Sequence, residues 1–272
     1  MSADPSVILI RGAGDLATGV AARLHRVGFN LILTEVPQPR AVRRLVAFAE
    51  AVYAGEVQVE DLHGCLVENA QGAIKAFASG KVPILADPEA SIREEFDLIA
   101  MVDARMRKRP PEMGMEAAPL VIGLGPGFTA GVDCHAVIET NRGHHMGRVF
   151  WEGSAEPDTG IPEPVSGYDV DRVLRAPGDG TLEGGIALGS LVRTGDVLAR
   201  VNGLPLLAPF DGALRGLIHD SLQVKEEEKV GDLDPRGDPI YCYQISDKSL
   251  AVGGGVLEAI LSHPESRRHL RD

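Results

Sequence analysis

With 272 residues, 44% of them hydrophobic and 4% aromatic, the chain can fill one large or two smaller aliphatic cores and is not disordered. A net charge of −12 excludes nucleic acid, anionic membrane and polyanions as main targets. No run of 18 apolar residues and no basic leader occur, and three widely spaced cysteines (Cys65, Cys134, Cys242) exclude a disulfide framework or zinc finger, so a cytoplasmic location is expected.

Val7–Ile10 is an apolar run of the kind that is buried on both faces of a parallel sheet. Gly12 and Gly14 follow, and then Leu16, Val20, Leu24 and Val27 at helical spacing. This strand–turn–helix context gives the Gly12, Gly14, Ala17 pattern its meaning as a phosphate-binding turn. The expected contacts are Gly12, Gly14, Asp15, Leu16, Ala17 and Thr18, whose amides open a helix with its positive dipole end. Arg11 offsets Asp15 or touches a phosphate, and Asp15 has a second reading as a helix cap. Leu31–Thr34 is the next strand. It ends at Glu35, placed to hold a ribose hydroxyl. A glycine turn that merely joins strand to helix is the competing reading.

Residues 41–53 read as a helix, with Arg40, Arg43 and Arg44 either solvated or facing an anion near Glu35. Val57–Val59 is a short edge strand, 68–78 a helix, Val82–Ala86 a strand weakened by Pro83, 89–96 a short acidic helix and Leu98–Val102 a strand. Strands alternating with helices imply a doubly wound sheet that binds ligands at its carboxyl edge. Asp103 and Arg105 are therefore expected contacts, or else caps of the next turn. Arg105–Glu116 has no period and reads as a linker. Gly125-Pro126-Gly127 forms a rigid turn that exposes amides to an anion or simply closes a hairpin. Residues 135–151 form a hairpin with Arg142 and His144 at a polar tip, as ligand contacts or as solvated polarity. Adjacent histidines on a strand point to opposite faces, so no metal site is expected there.

A boundary falls in the Gly/Pro-rich stretch 152–167. Beyond it Ala176–Leu182 (A-P-G-D-G-T-L) returns 32 residues later as Ala208–Leu214 (A-P-F-D-G-A-L), with 8 of 23 positions identical across Ala176–Leu198. Each half resembles the half-motif of biotinyl and lipoyl carrier domains. The tip Val201–Pro205 has no lysine, so no covalent biotin or lipoate is expected. The expected fold is α/β: a Rossmann-like, mostly parallel sheet with a hairpin extension (1–160, hairpin 135–151). A small barrel-sandwich-hybrid domain (170–248) and a C-terminal helix and tail (249–272) follow.

The segments I-R-G-A-G-D-L-A-T-G (Ile10–Gly19), V-D-A-R (Val102–Arg105), G-L-G-P-G-F (Gly123–Phe128) and V-I-E-T-N-R (Val137–Arg142) occur in one chain and in this order. With Ala208–Leu217 and Lys229–Gly237, they resemble the YqeB-type accessory family encoded beside selenium-dependent molybdenum hydroxylases. That family is loosely similar to xanthine dehydrogenase accessory proteins. The resemblance implies a maturation factor that meets an apo-hydroxylase and binds a small nucleotide ligand such as molybdopterin dinucleotide; it supplies no catalytic residues. An NAD(P)-dependent oxidoreductase and a non-catalytic adaptor are the alternatives. Cys65 and Cys134 are sulfur or selenium relays or inert thiols. The ligand, any reaction and the oligomeric state stay open.

Overall fold

The computed structural model describes residues 6–107, 109–158 and 172–268, which fall into two compact units. Unit 1 comprises 1–37, 48–158 and 245–272; unit 2 comprises 38–47 and 159–244. The expected boundary at 160 lies outside the described residues. The expected 249–272 segment is part of unit 1, and the ten residues 38–47 leave the first unit for the second.

Unit 1 is built on β1 (Val7–Arg11), which is wholly buried, and on α1 (Asp15–Arg26), which carries the predicted apolar spacing. The strands β2 (Asn30–Thr34), β3 (Glu56–Val59) and β4 (Leu62–Leu66) follow. A short α2 (Ala51–Ala54) lies between β2 and β3, and α3 (Ala70–Ala78) follows β4, its first turn capped by Asn69 accepting from the Gly72 amide. Next come β5 (Val82–Leu85), β6 (Leu98–Asp103), β7 (Val121–Leu124), β8 (Thr129–Ala130), β9 (Ala136–Ile138), β10 (Val149–Phe150) and β11 (Gly153–Ser154).

One nine-stranded sheet runs β10-β9-β7-β6-β1-β2-β5-β4-β3, and β8 pairs with β11 separately. The strands from β4 to β9 run parallel, whereas β3 and β10 close the two edges antiparallel. A tight turn through Glu60 (φ 53°) and Asp61 reverses the chain between β3 and β4, so an antiparallel partner covers that edge. The sheet is thus a mixed one, and this description replaces the expected Rossmann-like sheet. The chain lays β2, then β3 and β4 at the outer edge, then β5 between β4 and β2, all on one side of β1, and returns to place β6 on the other side. The carboxyl ends of β1 and β6 therefore form the switch point of the sheet.

Unit 2 holds β12 (Val173–Arg175), β13 (Gly180–Glu183), β14 (Leu191–Val192), β15 (Val197–Val201), β16 (Leu204–Leu207), β17 (Gly212–Leu217), β18 (Gln223–Val224), β19 (Lys229–Asp234) and α4 (Ile240–Tyr243). Two four-stranded antiparallel sheets result, β12-β19-β17-β14 and β16-β15-β13-β18. Each takes two strands from each copy of the repeat, because neither copy has apolar surface enough to form a core alone. Leu182, Leu198, Leu214 and Val230 meet in the shared core. Two antiparallel sheets are what the expected carrier-like barrel is replaced by.

The predicted helix over 41–53 is broken into two 3-10 turns, Arg44–Val46 and Phe48–Glu50, and α2. The cause lies in unit 2. Gly216 brings the β17 backbone against Val42, and Arg44 Nε donates to the Leu217 carbonyl at 2.9 Å. Arg40 bonds Glu228 and the Gln223 carbonyl, and Arg43 bonds the carbonyls of Tyr241 and Gln244. These arginines are thus tied into unit 2 and face no anion near Glu35. The chain returns to unit 1 as α5 (Asp247–Ser262) and α6 (Pro264–Arg267). The former packs along α1 at glycine-to-backbone distance: a Cβ on Gly253 would lie 2.6 Å from the Gly19 carbonyl. Among the described residues no helix is long and apolar enough to cross a membrane.

Candidate functional site

The carboxyl edge of the sheet at the switch point gathers several of the predicted residues. Gly12 leaves β1 with φ +96°, and a Cβ there would lie 3.3 Å from the backbone of Ala104 and Arg105. Glycine is required by both the conformation and the close approach of the β6 loop. Gly14 differs. Its φ of −66° suits any residue, and a Cβ would meet nothing within 4 Å. It opens α1 without a side-chain cap, so the positive end of that helix lies under open space.

Arg11, at the end of β1, is 1% exposed. Its Nη2 donates to the Pro88 carbonyl at 3.2 Å, while Nη1 lies 3.7 Å from Asp103 Oδ2 and 3.8 Å from Glu112 Oε2. Nε and Nη1 have no hydrogen-bond partner among the described residues. Burial, and then repulsion from Arg105, lower the pKa of this guanidinium. Asp103, 3% exposed, accepts a two-armed bond from Arg105 (Nε–Oδ1 3.0 Å, Nη2–Oδ2 2.5 Å). Arg105 then reaches Glu112 Oε2 at 2.8 Å, and Arg107 also bonds Glu112. Burial opposes the charge on Arg105, but its bonds to Asp103 and Glu112 raise its pKa. The bond from Arg105 holds Glu112 below the usual carboxylate range.

Other predicted contacts have structural duties here. Glu35 does not reach outward for a ribose: its carboxylate accepts from the amides of Ala13 (2.9 Å) and Val36 (2.8 Å), closing the glycine turn from within. The Thr18 hydroxyl donates to the Gly14 carbonyl and accepts from the Phe48 amide, both at 2.9 Å, so it locks the 48–50 turn to α1. Asp15 and the half-exposed Leu16 form the first turn of α1, and Ala17 is fully buried beneath it. Gly125 (φ 71°) donates to the Ile138 carbonyl, and its missing Cβ makes room for Thr140 Oγ1 and Met106 Cε. Gly127 (φ 105°) completes that turn. The Arg142 guanidinium pairs with Asp247 on α5, while exposed His144 stacks edge-on against His145. Neither joins the Arg11 cluster.

Glu112 and Arg107 were not among the predicted contacts. They lie in the aperiodic stretch that reads as a linker, although its alternating arginines, R-M-R-K-R, were a usable signal. Among the described residues no group of three or more His, Cys, Asp or Glu is placed to hold a metal. Burial, with Asp133 nearby, pushes the Cys134 thiol up to about 12; burial also raises Cys65. Neither is the activated thiolate that a sulfur or selenium relay needs.

No protein-family model matches the chain. Over 255 residues, 94% of its length, it is 45% identical to the uncharacterized protein YqeB of Escherichia coli K12. It is therefore a relative of YqeB along nearly all of its length, and it spans about half (47%) of that protein. Among solved structures it is similar to an aspartoacylase family protein from Mesorhizobium loti, with 12% identity, 85% and 84% of the two chains covered and a TM-score of 0.27. It is also similar to a succinylglutamate desuccinylase/aspartoacylase from Rhodobacter sphaeroides, with 15% identity, 85% and 86% covered and a TM-score of 0.26. The sheets themselves correct the expected Rossmann-like plus biotinyl/lipoyl-like fold to a large mixed sheet with separate antiparallel sheets. Molybdenum hydroxylase maturation, selenium handling, an NAD(P)-dependent oxidoreductase and the adaptor alternative are not retained.

Proposed function

We propose that this YqeB relative binds a small phosphate- or carboxylate-bearing molecule at the carboxyl edge of the unit 1 sheet. Arg11 carries the reading. A guanidinium held out of water with Nε and Nη1 unbonded costs stability unless something uses it, and an anion is its natural complement. Open space over Gly14, at the uncapped start of α1, supports the same reading. So does the position of both features at the switch point, where open α/β sheets bind ligands. The three unpaired cysteines suit a reducing cytoplasm.

A thermal-shift screen of phosphorylated and carboxylated small molecules on the full chain tests the proposal. At least one compound should raise the melting temperature. Gly14→Val, at a position where a Cβ meets nothing within 4 Å, should keep the protein folded and weaken that compound's binding at least tenfold. An empty screen, or equal affinity in the variant, would overturn the reading.

A further inference from the structure

Four guanidinium groups converge on one carboxylate at this edge. Glu112 Oε2 accepts from Arg105 Nη2 at 2.8 Å and lies 3.8 Å from Arg11 Nη1; Oε1 takes a bond from Arg107 and lies 3.6 Å from Arg109 Nη2. Glu112 is 44% exposed, whereas Arg11 behind it is 1% exposed and its two inner nitrogens are unbonded. A side chain half in water gains little from a surface ion pair, so Glu112 can turn outward at small cost. Arg11 cannot leave, because it ends the central strand of the sheet.

The charges around this carboxylate do not balance. Among the described residues four guanidinium groups (Arg11, Arg105, Arg107, Arg109) stand against three carboxylates, Asp103, Glu112 and Glu89, the last acting on Arg11, which leaves an excess of one positive charge. Replacing the single charge of Glu112 by a doubly charged anion would cancel that excess. The fork of each guanidinium also matches the oxygens of a phosphoryl group better than a point cation would.

We infer that Glu112 is a built-in stand-in for the ligand, and that the ligand is a dianion, of the phosphate monoester class, which displaces the Glu112 carboxylate and takes its place among Arg11, Arg105 and Arg107. The inference rests on the anion-binding reading above, and it adds the charge of the ligand and the residue that competes with it. Asp103 has a different part: with both oxygens on Arg105, it fixes that guanidinium in place.

Isothermal titration of the full chain with inorganic phosphate, and separately with acetate at matched ionic strength, provides the test. Glu112→Gln removes the competing charge from a half-exposed loop position and should bind phosphate at least tenfold more tightly than the unaltered protein. Both proteins should prefer phosphate to acetate. If the unaltered protein binds phosphate and Glu112→Gln binds it no better, the stand-in role fails while the anion site survives. Acetate bound as tightly as phosphate would overturn the dianion assignment. Absence of phosphate binding in either protein would overturn this inference, and the broader reading would then be decided by the Gly14→Val screen.

Discussion

A methyl group added to Gly253 is the sharpest probe of how unit 1 is held together. Its Cβ would lie 2.6 Å from the Gly19 carbonyl oxygen on α1 and 3.0 Å from Arg23 Cγ, so the helices must separate to admit it. The neighbouring Gly254 sits in the same helix, and a Cβ there would meet nothing within 4 Å. Both substitutions by alanine gain the same helix propensity, about 1 kcal/mol. The propensity term therefore cancels in the comparison, and the difference measures overpacking alone, about 1–3 kcal/mol for a methyl forced into a filled contact. Gly254→Ala should raise stability and Gly253→Ala should lower it or leave it near the starting value. Urea titration followed by far-UV circular dichroism reads this directly, because the longer helices all belong to unit 1. A Gly253→Ala protein as stable as Gly254→Ala would refute the close approach of α1 and α5.

Two further outcomes follow from particular bonds. Thr18→Val removes the hydroxyl that accepts from the buried Phe48 amide, and should cost about 1–3 kcal/mol in urea unfolding while leaving affinity for any ligand found in the screen unchanged; lost affinity at equal stability would make Thr18 a ligand contact after all. In unit 2, burial works to raise the Asp234 pKa, but the bonds from Arg236 hold it below its ordinary 3.8. A carboxylate with a lowered folded pKa contributes stability above its unfolded pKa and loses that contribution as pH falls through the folded value. Asp234→Asn should therefore be weaker than the unaltered protein at pH 7, with the gap closing below about pH 4; a gap independent of pH would disprove the ion-pair account.

Local physics made much of the chain legible. Val7–Ile10 and Leu31–Leu33 are apolar on every residue because both faces of their strands are covered, and the structure buries them accordingly. The 32-residue repeat could be read because each copy needs the same turn residues and the same inward-facing aliphatic positions. Leu182 and Leu214, one repeat apart, meet in one core. The helix expected over 41–53 failed because apolar spacing is silent about Gly216 and the Leu217 carbonyl, which hold those residues in another conformation. Fold class was misjudged for a related reason. The β9–β10 pair at one sheet edge lies in the predicted 135–151 hairpin, but the antiparallel β3–β4 pairing at the other edge depends on a turn at Glu60 and Asp61 that the residue pattern did not mark.

The site divides in the same way. Sequence alone determined that Gly12, Gly14, Asp103 and Arg105 lie at strand ends, because the apolar runs stop there and a parallel sheet puts such ends on one edge. It could not show that Glu35 turns inward onto Ala13, that Gly19 serves helix packing, or that an aperiodic, arginine-rich stretch returns Glu112 to Arg11. Contacts between residues a hundred positions apart, such as Arg11 and Glu112, leave no periodic trace because their geometry is set by the path of the whole chain. Only the tertiary structure decided which charges meet at the carboxyl edge of the sheet, and those charges are what the proposed anion would meet.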